Sequence, residues 1–314
     1  MISVAIFGLG RVGAGFGLSP KAPQYSELTH LGAISARNDL FRVAHLADKS
    51  GRRLALASEK IGLGNSVKLE AVEQVDLCVI ATSTNQHLES CIEALSFSPR
   101  LLLMEKPATG SLRELEEVIR LCAESKTALW IAYNRRWDEK HRESLERLTG
   151  DGSKVLAIRA LTSGDLESNA SHVLEMALQF APDLSIEKIE NRPDWGLRLS
   201  LFDSKLGVAL DIHHFANYPA RLFEVEVLTD TGIVNLFASG SELMLRQGYP
   251  SDWLDGQEVL GPCAPVSGGI RSTFSNMYQN VVSTLNSGEI VDNLGAAVAT
   301  RKLLDRILHS LGPQ

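Results

Sequence analysis

A lysine stands at the end of an apolar run, in the tripeptide Glu105-Lys106-Pro107 that follows Leu101 to Met104. Open α/β sheets hold their ligands at the carboxyl ends of strands, so a side chain here can face a ligand. A Lys ammonium can hydrogen-bond a reacting hydroxyl or transfer its proton, because its pKa falls on desolvation. We also predict a cis Lys-Pro peptide bond. Many strands end in a charge and a proline, so the tripeptide alone indicates no activity. Whether Lys106 has a function depends on the sequence that precedes it.

A glycine-rich segment, Gly8-Leu9-Gly10-Arg11-Val12-Gly13, directly follows the apolar run Ile2 to Phe7. In a dinucleotide-binding fingerprint, Gly8 permits a tight turn, Gly10 lets the backbone approach a pyrophosphate, and Gly13 lets a helix pack on the strand. The helix amino terminus offers free N–H groups to the phosphates. Glycine-rich turns also arise for structural reasons, so the motif alone is a weak signal.

The second predicted strand, Phe41 to Leu46, leads to Asp48, whose carboxylate can bind the adenosine ribose hydroxyls. Asp48 comes later than the roughly twenty residues usual after the fingerprint, and an inserted loop over residues 15–25 explains the delay. An acid here repels a 2′-phosphate, which favours NAD as cofactor. Three basic residues just beyond it could attract that phosphate and favour NADP, or simply form a solvated helix start: Lys49, Arg52 and Arg53.

A polar segment, Thr82-Ser83-Thr84-Asn85-Gln86-His87, follows the third predicted strand, Val75 to Thr82. We expect this segment to contact the nicotinamide half of the cofactor, through Thr82, Ser83, Thr84, Asn85 and His87. In the alternative interpretation, Ser83 or Asn85 caps the next helix and His87 is a surface residue of its first turn.

Together with Tyr133-Asn134-Arg135-Arg136-Trp137, these motifs occur in a characteristic order. Through the glycine-rich segment, Thr84 to His87, Glu105-Lys106-Pro107 and this last motif, the chain resembles the Gfo/Idh/MocA family of nicotinamide-dependent oxidoreductases. The resemblance implies a Rossmann dinucleotide-binding domain, residues 1–134, and an α+β domain for substrate binding and oligomerisation, residues 135–314. It also implies that Glu105, Lys106 and Pro107 border the cofactor, and we expect Arg135 and Arg136 near the substrate.

Composition narrows the function further. A chain of 314 residues favours two domains, and a net charge of -7 provides no general basic field for nucleic acid or anionic lipid. Met1 to Gly10 lacks a basic region before it and a cleavage site after it, so we interpret it as a strand and expect a cytoplasmic protein. The cysteines lack metal-type or redox-type spacing and are predicted to be buried free thiols: Cys78, Cys91, Cys122 and Cys263.

After Trp137 the pattern changes to one helix, Glu139 to Leu148, and a succession of short strands. These predicted strands are Val155 to Leu161, Leu197 to Phe202, Val208 to Ile212, Phe223 to Thr229, Ile233 to Phe237 and Leu243 to Arg246. They predict a large, open and mostly antiparallel sheet with helices on one face. Helical segments follow at Phe274 to Leu285 and Leu294 to Leu311, and the last stays with this domain or packs back on the first.

The segment Ser168 to Glu175 is similar to the family's catalytic segment, in which an acid four residues before a histidine shares proton transfer with the lysine. The resemblance assigns His172 and Lys106 to catalysis, whereas Ser168 replaces the acid. We predict that Ser168 or Asn169 is the N-cap of a helix that ends at about Phe180. Both residues are expected near the substrate. His172 would then lie in the first turn, where the helix dipole favours the neutral imidazole.

No metal site is predicted. His213 and His214 are adjacent on a predicted strand, so they point to opposite faces and cannot ligate one ion from the same side.

The sequence therefore predicts an NAD(P)-dependent oxidoreductase. The resemblance implies a secondary alcohol or ketone of a sugar, an amino sugar, a nucleotide-linked sugar or a cyclitol as substrate. Two alternatives stay open: a noncatalytic dinucleotide-binding sensor or scaffold, and a family enzyme that cleaves glycosides through transient oxidation and recycles NAD. We expect a homodimer or homotetramer, with no nucleic-acid or membrane partner.

Overall fold

The computed structural model describes residues 1–15, 27–62, 74–150, 152–192, 196–289 and 294–312. The chain divides into two compact units. The first contains residues 1–137 and 271–298, and the second contains residues 138–270 and 299–314. Apart from Gly15, the inserted loop expected at residues 15–25 lies outside the described residues.

The first unit contains a five-stranded parallel sheet in the order β2-β1-β3-β4-β5. Its strands are β1 (Ile2–Phe7), β2 (Phe41–Ala47), β3 (Leu77–Ile80), β4 (Leu101–Glu105) and β5 (Ala128–Ala132). β3 and β4 are buried along their whole length, as expected for strands covered on both faces. This sheet confirms the predicted Rossmann domain and brings the carboxyl ends of its strands to one edge.

Helices flank this sheet in the first unit: α1 (His30–Ser35), α2 (Gly51–Lys60), α3 (His87–Leu95), α4 (Leu112–Glu124) and, far later in the chain, α7 (Thr273–Ser287). Three of these helices begin after a Ser or Thr residue. Thr29, Ser50 and Ser111 accept backbone hydrogen bonds as the N-caps of α1, α2 and α4. At α4, the Glu114 carboxylate also accepts the Gly110 N–H at 3.0 Å, so the cap is reciprocal.

The second unit contains a nine-stranded sheet. Its strands are β6 (Val155–Ser163), β7 (Ser185–Arg192), β8 (Gly196–Asp203), β9 (Val208–Phe215), β10 (Phe223–Thr229), β11 (Gly232–Phe237), β12 (Glu242–Pro250), β13 (Glu258–Leu260) and β14 (Ala264–Ser267). The order is β13-β12-β11-β10-β6-β9-β8-β7, and β14 pairs with β12. All pairs are antiparallel except β6 with β9, so the predicted mostly antiparallel sheet is confirmed.

One face of this sheet forms the core of the second unit. Alternate side chains of β8, β9, β10 and β11 are buried with residues of α6 (Leu166–Leu178). The unit also contains α5 (Glu139–Thr149) and residues 299–311 of α8 (Leu294–Leu311). The other face carries exposed and half-buried polar side chains, including the ion pairs Arg159–Glu226 and Arg198–Asp211.

All four cysteines are free thiols. Cys78, Cys91 and Cys122 are buried free thiols, as predicted, but Cys263 is exposed because it lies in the short link between β13 and β14. Over the described ranges, no helix combines the length and the apolar character that crossing a membrane requires.

A buried histidine makes the stability of the first unit sensitive to pH. His45 is packed against the rings of Phe7 and Phe97, with centroid distances of 5.6 Å and 5.0 Å. Burial lowers the pKa of His45 below its ordinary value of 6.5, and within the described residues its Nδ1 has no hydrogen-bond partner. The unfolded chain therefore binds a proton near pH 6.5 while the folded chain stays neutral.

We expect the free energy of unfolding to be highest above about pH 7 and to fall as the pH drops below about 6.5. His45→Phe should reduce this fall, and the exposed-site variant His309→Phe should not. Denaturant titrations at pH 7.5 and 5.5 measure the difference. An unchanged pH dependence in His45→Phe would contradict the assignment.

Candidate cofactor pocket and helix α6

A pocket of about 590 Å³ lies at the carboxyl edge of the parallel sheet. This volume falls in the range of about 300–1,000 Å³ typical of small-molecule and cofactor sites. Nine of the residues that we predicted to bind cofactor line it: Gly8, Gly10, Arg11, Val12, Asp48, Thr82, Ser83, Glu105 and Lys106. Leu9, Gly13, Thr84, Asn85, His87 and Pro107 are in the same unit but do not line the pocket.

The glycine-rich turn has the geometry that its sequence requires. Gly8 has a φ of +92°, and a Cβ there would collide with the backbone of Ala81 and Thr82. A Cβ at Gly13 would meet the carbonyl oxygen of Gly8. Gly10 is different, because no atom of the described residues lies within 4 Å of the position that its Cβ would take. The pocket-facing backbone at Gly10 is thus open to a ligand, while Gly8 and Gly13 close the turn.

The helix expected after this turn is only partly described. Arg11–Gly15 forms a single π-helical turn, and the N–H groups of Ala14 and Gly15 both bond the Gly10 carbonyl at 3.0 and 2.7 Å. Residues 16–26 lie outside the described ranges.

Asp48 joins β2 to the glycine-rich turn. Its Oδ2 accepts the Leu9 N–H at 2.6 Å, and its Oδ1 accepts the Ser50 N–H at 2.7 Å and the Arg53 guanidinium at 2.8 Å. Burial opposes the ionised carboxyl, but these bonds outweigh it and lower the pKa of Asp48 below its ordinary value. A carboxylate has about four acceptor positions, so Oδ2 can still receive a ligand hydroxyl.

Charged side chains of both signs surround the pocket. Arg11, Lys49 and Arg53 line it, and Arg53 also neutralises Asp48, whereas Arg52 is exposed and does not line it. Four residues that we did not predict also line the pocket, from α3 and the turn before it: Gln86, Glu89, Ser90 and Glu93. The spacing of Glu89, Ser90 and Glu93 on one helix face was the available signal.

The polar segment after β3 is held in place by His87. Its Nδ1 lies 2.9 Å from the Ala108 carbonyl and its Nε2 lies 3.1 Å from the Thr82 carbonyl. His87 is 1% exposed, so the alternative of a surface residue is wrong. Ser83 makes no cap hydrogen bond to the helical turn Thr84–Gln86, because its hydroxyl bonds the Asn85 side chain at 2.7 Å. His87 thus links the loops that follow β3 and β4.

The Glu105-Lys106-Pro107 segment lies at the end of β4, and its Lys-Pro bond is cis, as predicted. Lys106 is half-buried and lines the pocket beside Glu105. The Glu105 carboxylate accepts the Lys106 N–H at 3.1 Å and contacts Nε2 of His30 at 3.0 Å. His30 in turn contacts Tyr278. His30 and Tyr278 were not predicted, because no local sequence pattern links residues 248 positions apart.

Arg135 and Arg136 belong to the helical turn Asn134–Trp137 in the first unit. Arg135 is 7% exposed and Arg136 is half-buried. Neither lines the cofactor pocket.

In the second unit, helix α6 begins earlier than predicted. Its cap is Asp165, whose carboxylate accepts the Ser168 N–H at 2.7 Å, so neither Ser168 nor Asn169 is the cap. A carboxylate is the stronger acceptor at a helix start, where it also meets the positive dipole end. His172 consequently lies in the second turn rather than the first, and the dipole effect, which fades within one turn, gives it little help.

The residues around His172 are closely packed. Asn169 donates to the Ser163 carbonyl at 2.6 Å and ties α6 to the end of β6. His172 is 7% exposed and meets the ring of Phe223 edge-on at 6.0 Å. Glu175 is fully buried one turn later, a carboxyl that the sequence analysis did not single out.

The two histidines of β9 point to opposite faces, as alternation requires. His214 is buried and bonds Thr162 at 3.0 Å, while His213 is half-buried. Among the residues that the structure describes, no group of three or more His, Cys, Asp or Glu side chains could hold a metal.

Sequence comparison agrees with this architecture. Residues 2–133 match the profile of the Gfo/Idh/MocA oxidoreductase family, which is described as an NAD-binding Rossmann fold. The amino-terminal domain belongs to this family. The glycine turn, Asp48 and Lys106 thus line the pocket of a Gfo/Idh/MocA domain, and the predicted nicotinamide dinucleotide cofactor fits that assignment. A search of curated proteins by sequence found no match.

Solved structures share the fold of the whole chain. A dehydrogenase (MviM) from Clostridium difficile has a TM-score of 0.78 at 16% identity, with 98% of this chain and 99% of that chain covered. KijD10, a 3-ketoreductase from Actinomadura kijaniata solved with NADP and TDP-benzene, has a TM-score of 0.73 at 16% identity and 98% and 96% coverage. A super-repressor mutant of Gal80p from Saccharomyces cerevisiae has a TM-score of 0.74 at 15% identity, with 98% of this chain and 94% of that chain covered.

Arg53 should determine how well the pocket accepts a 2′-phosphate. Arg53→Leu removes a cation from the pocket and also exposes the negative charge of Asp48, so both effects disfavour NADPH. Loss of one hydrogen bond to a charged group weakens binding about tenfold. We expect the Kd for NADPH to rise by about that factor and the Kd for NADH to rise less than about threefold. Fluorescence titration at constant ionic strength measures both values.

Arg52→Leu is the matched control. It removes the same charge from the neighbouring residue, which is exposed and does not line the pocket. Equal weakening of NADH and NADPH in Arg53→Leu, or the same loss in Arg52→Leu, would contradict this role.

Proposed function

We propose that the chain is an NAD(P)-dependent oxidoreductase that interconverts a secondary alcohol and its ketone in a carbohydrate-like substrate, such as a sugar, an amino sugar, a nucleotide-linked sugar or a cyclitol. The observation that carries the proposal is the position of Lys106. It lines the same pocket as the glycine-rich turn and Asp48, at the carboxyl end of a buried parallel strand.

The pocket residues fit a dinucleotide. Gly10 leaves open space beside its backbone, where a pyrophosphate can approach. Asp48 keeps an acceptor position for a ribose hydroxyl, and the cations Arg11, Lys49 and Arg53 compensate phosphate charge. The nicotinamide end would then lie beside Glu105 and Lys106, which line the same pocket. When bound, the nicotinamide would accept or supply the hydride.

The protein side chains handle the proton. In the oxidative direction, Lys106 would hold the reacting hydroxyl oxygen through its ammonium group and stabilise the negative charge that develops there. His172 would accept the hydroxyl proton as a neutral imidazole. Ser168 has no carboxylate to assist His172, so Lys106 would carry a larger share of the proton transfer. Arg135, Arg136, Ser168 and Asn169 are our candidates for substrate contacts.

Two likenesses inform the substrate and the main alternative. KijD10 is a ketoreductase solved with TDP-benzene, which supports a nucleotide-linked sugar among the candidates. The super-repressor Gal80p has the same fold, and Ser168 replaces the acid that the family pattern leads us to expect, so a noncatalytic dinucleotide sensor is the second candidate. Turnover of a substrate panel by the wild-type protein and by Lys106→Met distinguishes the enzyme from the sensor.

We also propose that the chain forms a homodimer or homotetramer in the cytoplasm. The polar face of the nine-stranded sheet, with its Arg159–Glu226 and Arg198–Asp211 pairs, is the surface that supports this. Light scattering coupled to size exclusion measures the subunit number directly.

Lys106→Met should lower kcat by about 10²- to 10⁴-fold, the usual contribution of one positioned acid–base group. The Kd for NADH should change less than about threefold, because Asp48 and the glycine-rich turn remain. Turnover is followed at 340 nm across a panel of sugars, nucleotide sugars and cyclitols, with each product also identified by mass spectrometry.

Lys302→Met, which removes an exposed lysine, is the control. A wild-type protein that binds NADH but converts no member of the panel would favour the noncatalytic sensor. Cleaved glycoside without net NADH would instead indicate the NAD-recycling reaction. Full activity in Lys106→Met would contradict the proposed role.

A further inference from the structure

Three side chains from separate elements of the first unit form a buried chain of hydrogen bonds that ends at the pocket. Tyr278 Oη of α7 lies 2.7 Å from Nδ1 of His30 in α1, and Nε2 of His30 lies 3.0 Å from Oε1 of Glu105 in β4. Tyr278 and His30 are 1% and 0% exposed, and only Glu105, at 8%, reaches the pocket wall.

The direction of the hydrogen bonds follows from the carboxylate. The Glu105 carboxylate can only accept, so we assign the His30 tautomer in which Nε2 carries the hydrogen and donates to Oε1. Nδ1 then accepts the Tyr278 O–H. Burial, together with the negative charge of Glu105, raises the pKa of Tyr278 well above its ordinary value, so the hydroxyl keeps the proton that it donates.

The second oxygen of the carboxylate acts on Lys106. Oε2 of Glu105 accepts the Lys106 N–H at 3.1 Å. One carboxylate oxygen is thus held from the protein interior and the other holds the backbone from which the Lys106 side chain extends. The ring of Phe274 packs edge-on against His30 at 5.1 Å and restricts its rotation.

We infer that His30 and Tyr278 are positioning residues that aim Lys106 by fixing Glu105, an inference that rests on the proposed role of Lys106 in catalysis. A displacement of about 1 Å by a remote mutation can lower turnover about a hundredfold. A merely structural role for the same bonds would lower stability without a specific effect on kcat.

The test compares two substitutions at one position. His30→Leu removes the donor to Glu105 and should lower kcat about tenfold to a hundredfold, with the KM for NADH changed less than about threefold. His30→Gln can place an N–H near the original Nε2 and should recover kcat to within about threefold of wild type. Tyr278→Phe keeps the ring, removes only the hydroxyl, and should give a smaller loss of kcat than His30→Leu.

Thr127→Val is the matched control. It deletes a buried hydrogen bond of the same unit, from Thr127 Oγ1 to the Pro99 carbonyl at 2.8 Å, at the other end of β4. We expect a loss of stability similar to that of Tyr278→Phe and an unchanged kcat. Equal kcat values in His30→Leu, His30→Gln and Thr127→Val would overturn the inference.

A second readout needs no substrate. Hydrogen exchange of the Lys106 amide, which bonds Glu105, should become faster in His30→Leu than in wild type and stay protected in Thr127→Val. If the wild-type protein turns over no substrate but this pattern holds, the positioning stands and the proposed reaction fails. If exchange is unchanged in His30→Leu, the positioning fails whatever the activity.

Discussion

A buried carboxylate must be hydrogen-bonded, and this constraint organises both ends of the cofactor pocket. Asp48 satisfies it with the Leu9 N–H, the Ser50 N–H and Arg53, so the end of β2 is tied to the glycine-rich turn. Glu105 satisfies it with His30 and the Lys106 N–H, so the end of β4 is tied to α1. The pocket therefore keeps its shape through two carboxylates, and the residues proposed to act on ligands depend on them.

Much of the first domain could be predicted from sequence because its signals are local. Apolar runs predict the parallel strands. The turn requires glycine at Gly8, where φ is positive, and at Gly8 and Gly13, where a Cβ would collide with neighbouring backbone. His30 and Tyr278 could not be predicted, because their contact joins residues 248 positions apart and carries no local pattern. Tertiary packing alone brings α7 back to the first unit.

The second domain shows a different limit. Strand β7 was missed since Ser185–Arg192 is an exposed, charged edge strand without apolar alternation, which is how edge strands resist further pairing. The start of α6 was placed too late because Ser168 and Asn169 are both good capping residues by type, whereas the helix begins after Asp165. That shift moves His172 to the second turn, where its ring packs edge-on against Phe223 and the effect of the helix dipole has faded.

The central claim is that the pocket formed by the glycine-rich turn, Asp48 and Lys106 binds a nicotinamide dinucleotide with its reactive end at Lys106. A crystal structure with bound NADH or NADPH tests it most directly. The account predicts the adenosine ribose at Asp48, the pyrophosphate at Gly10, and nicotinamide C4 facing Lys106 across room for a substrate carbon–oxygen bond. A dinucleotide bound with its nicotinamide remote from Lys106, or in another cavity, would contradict it.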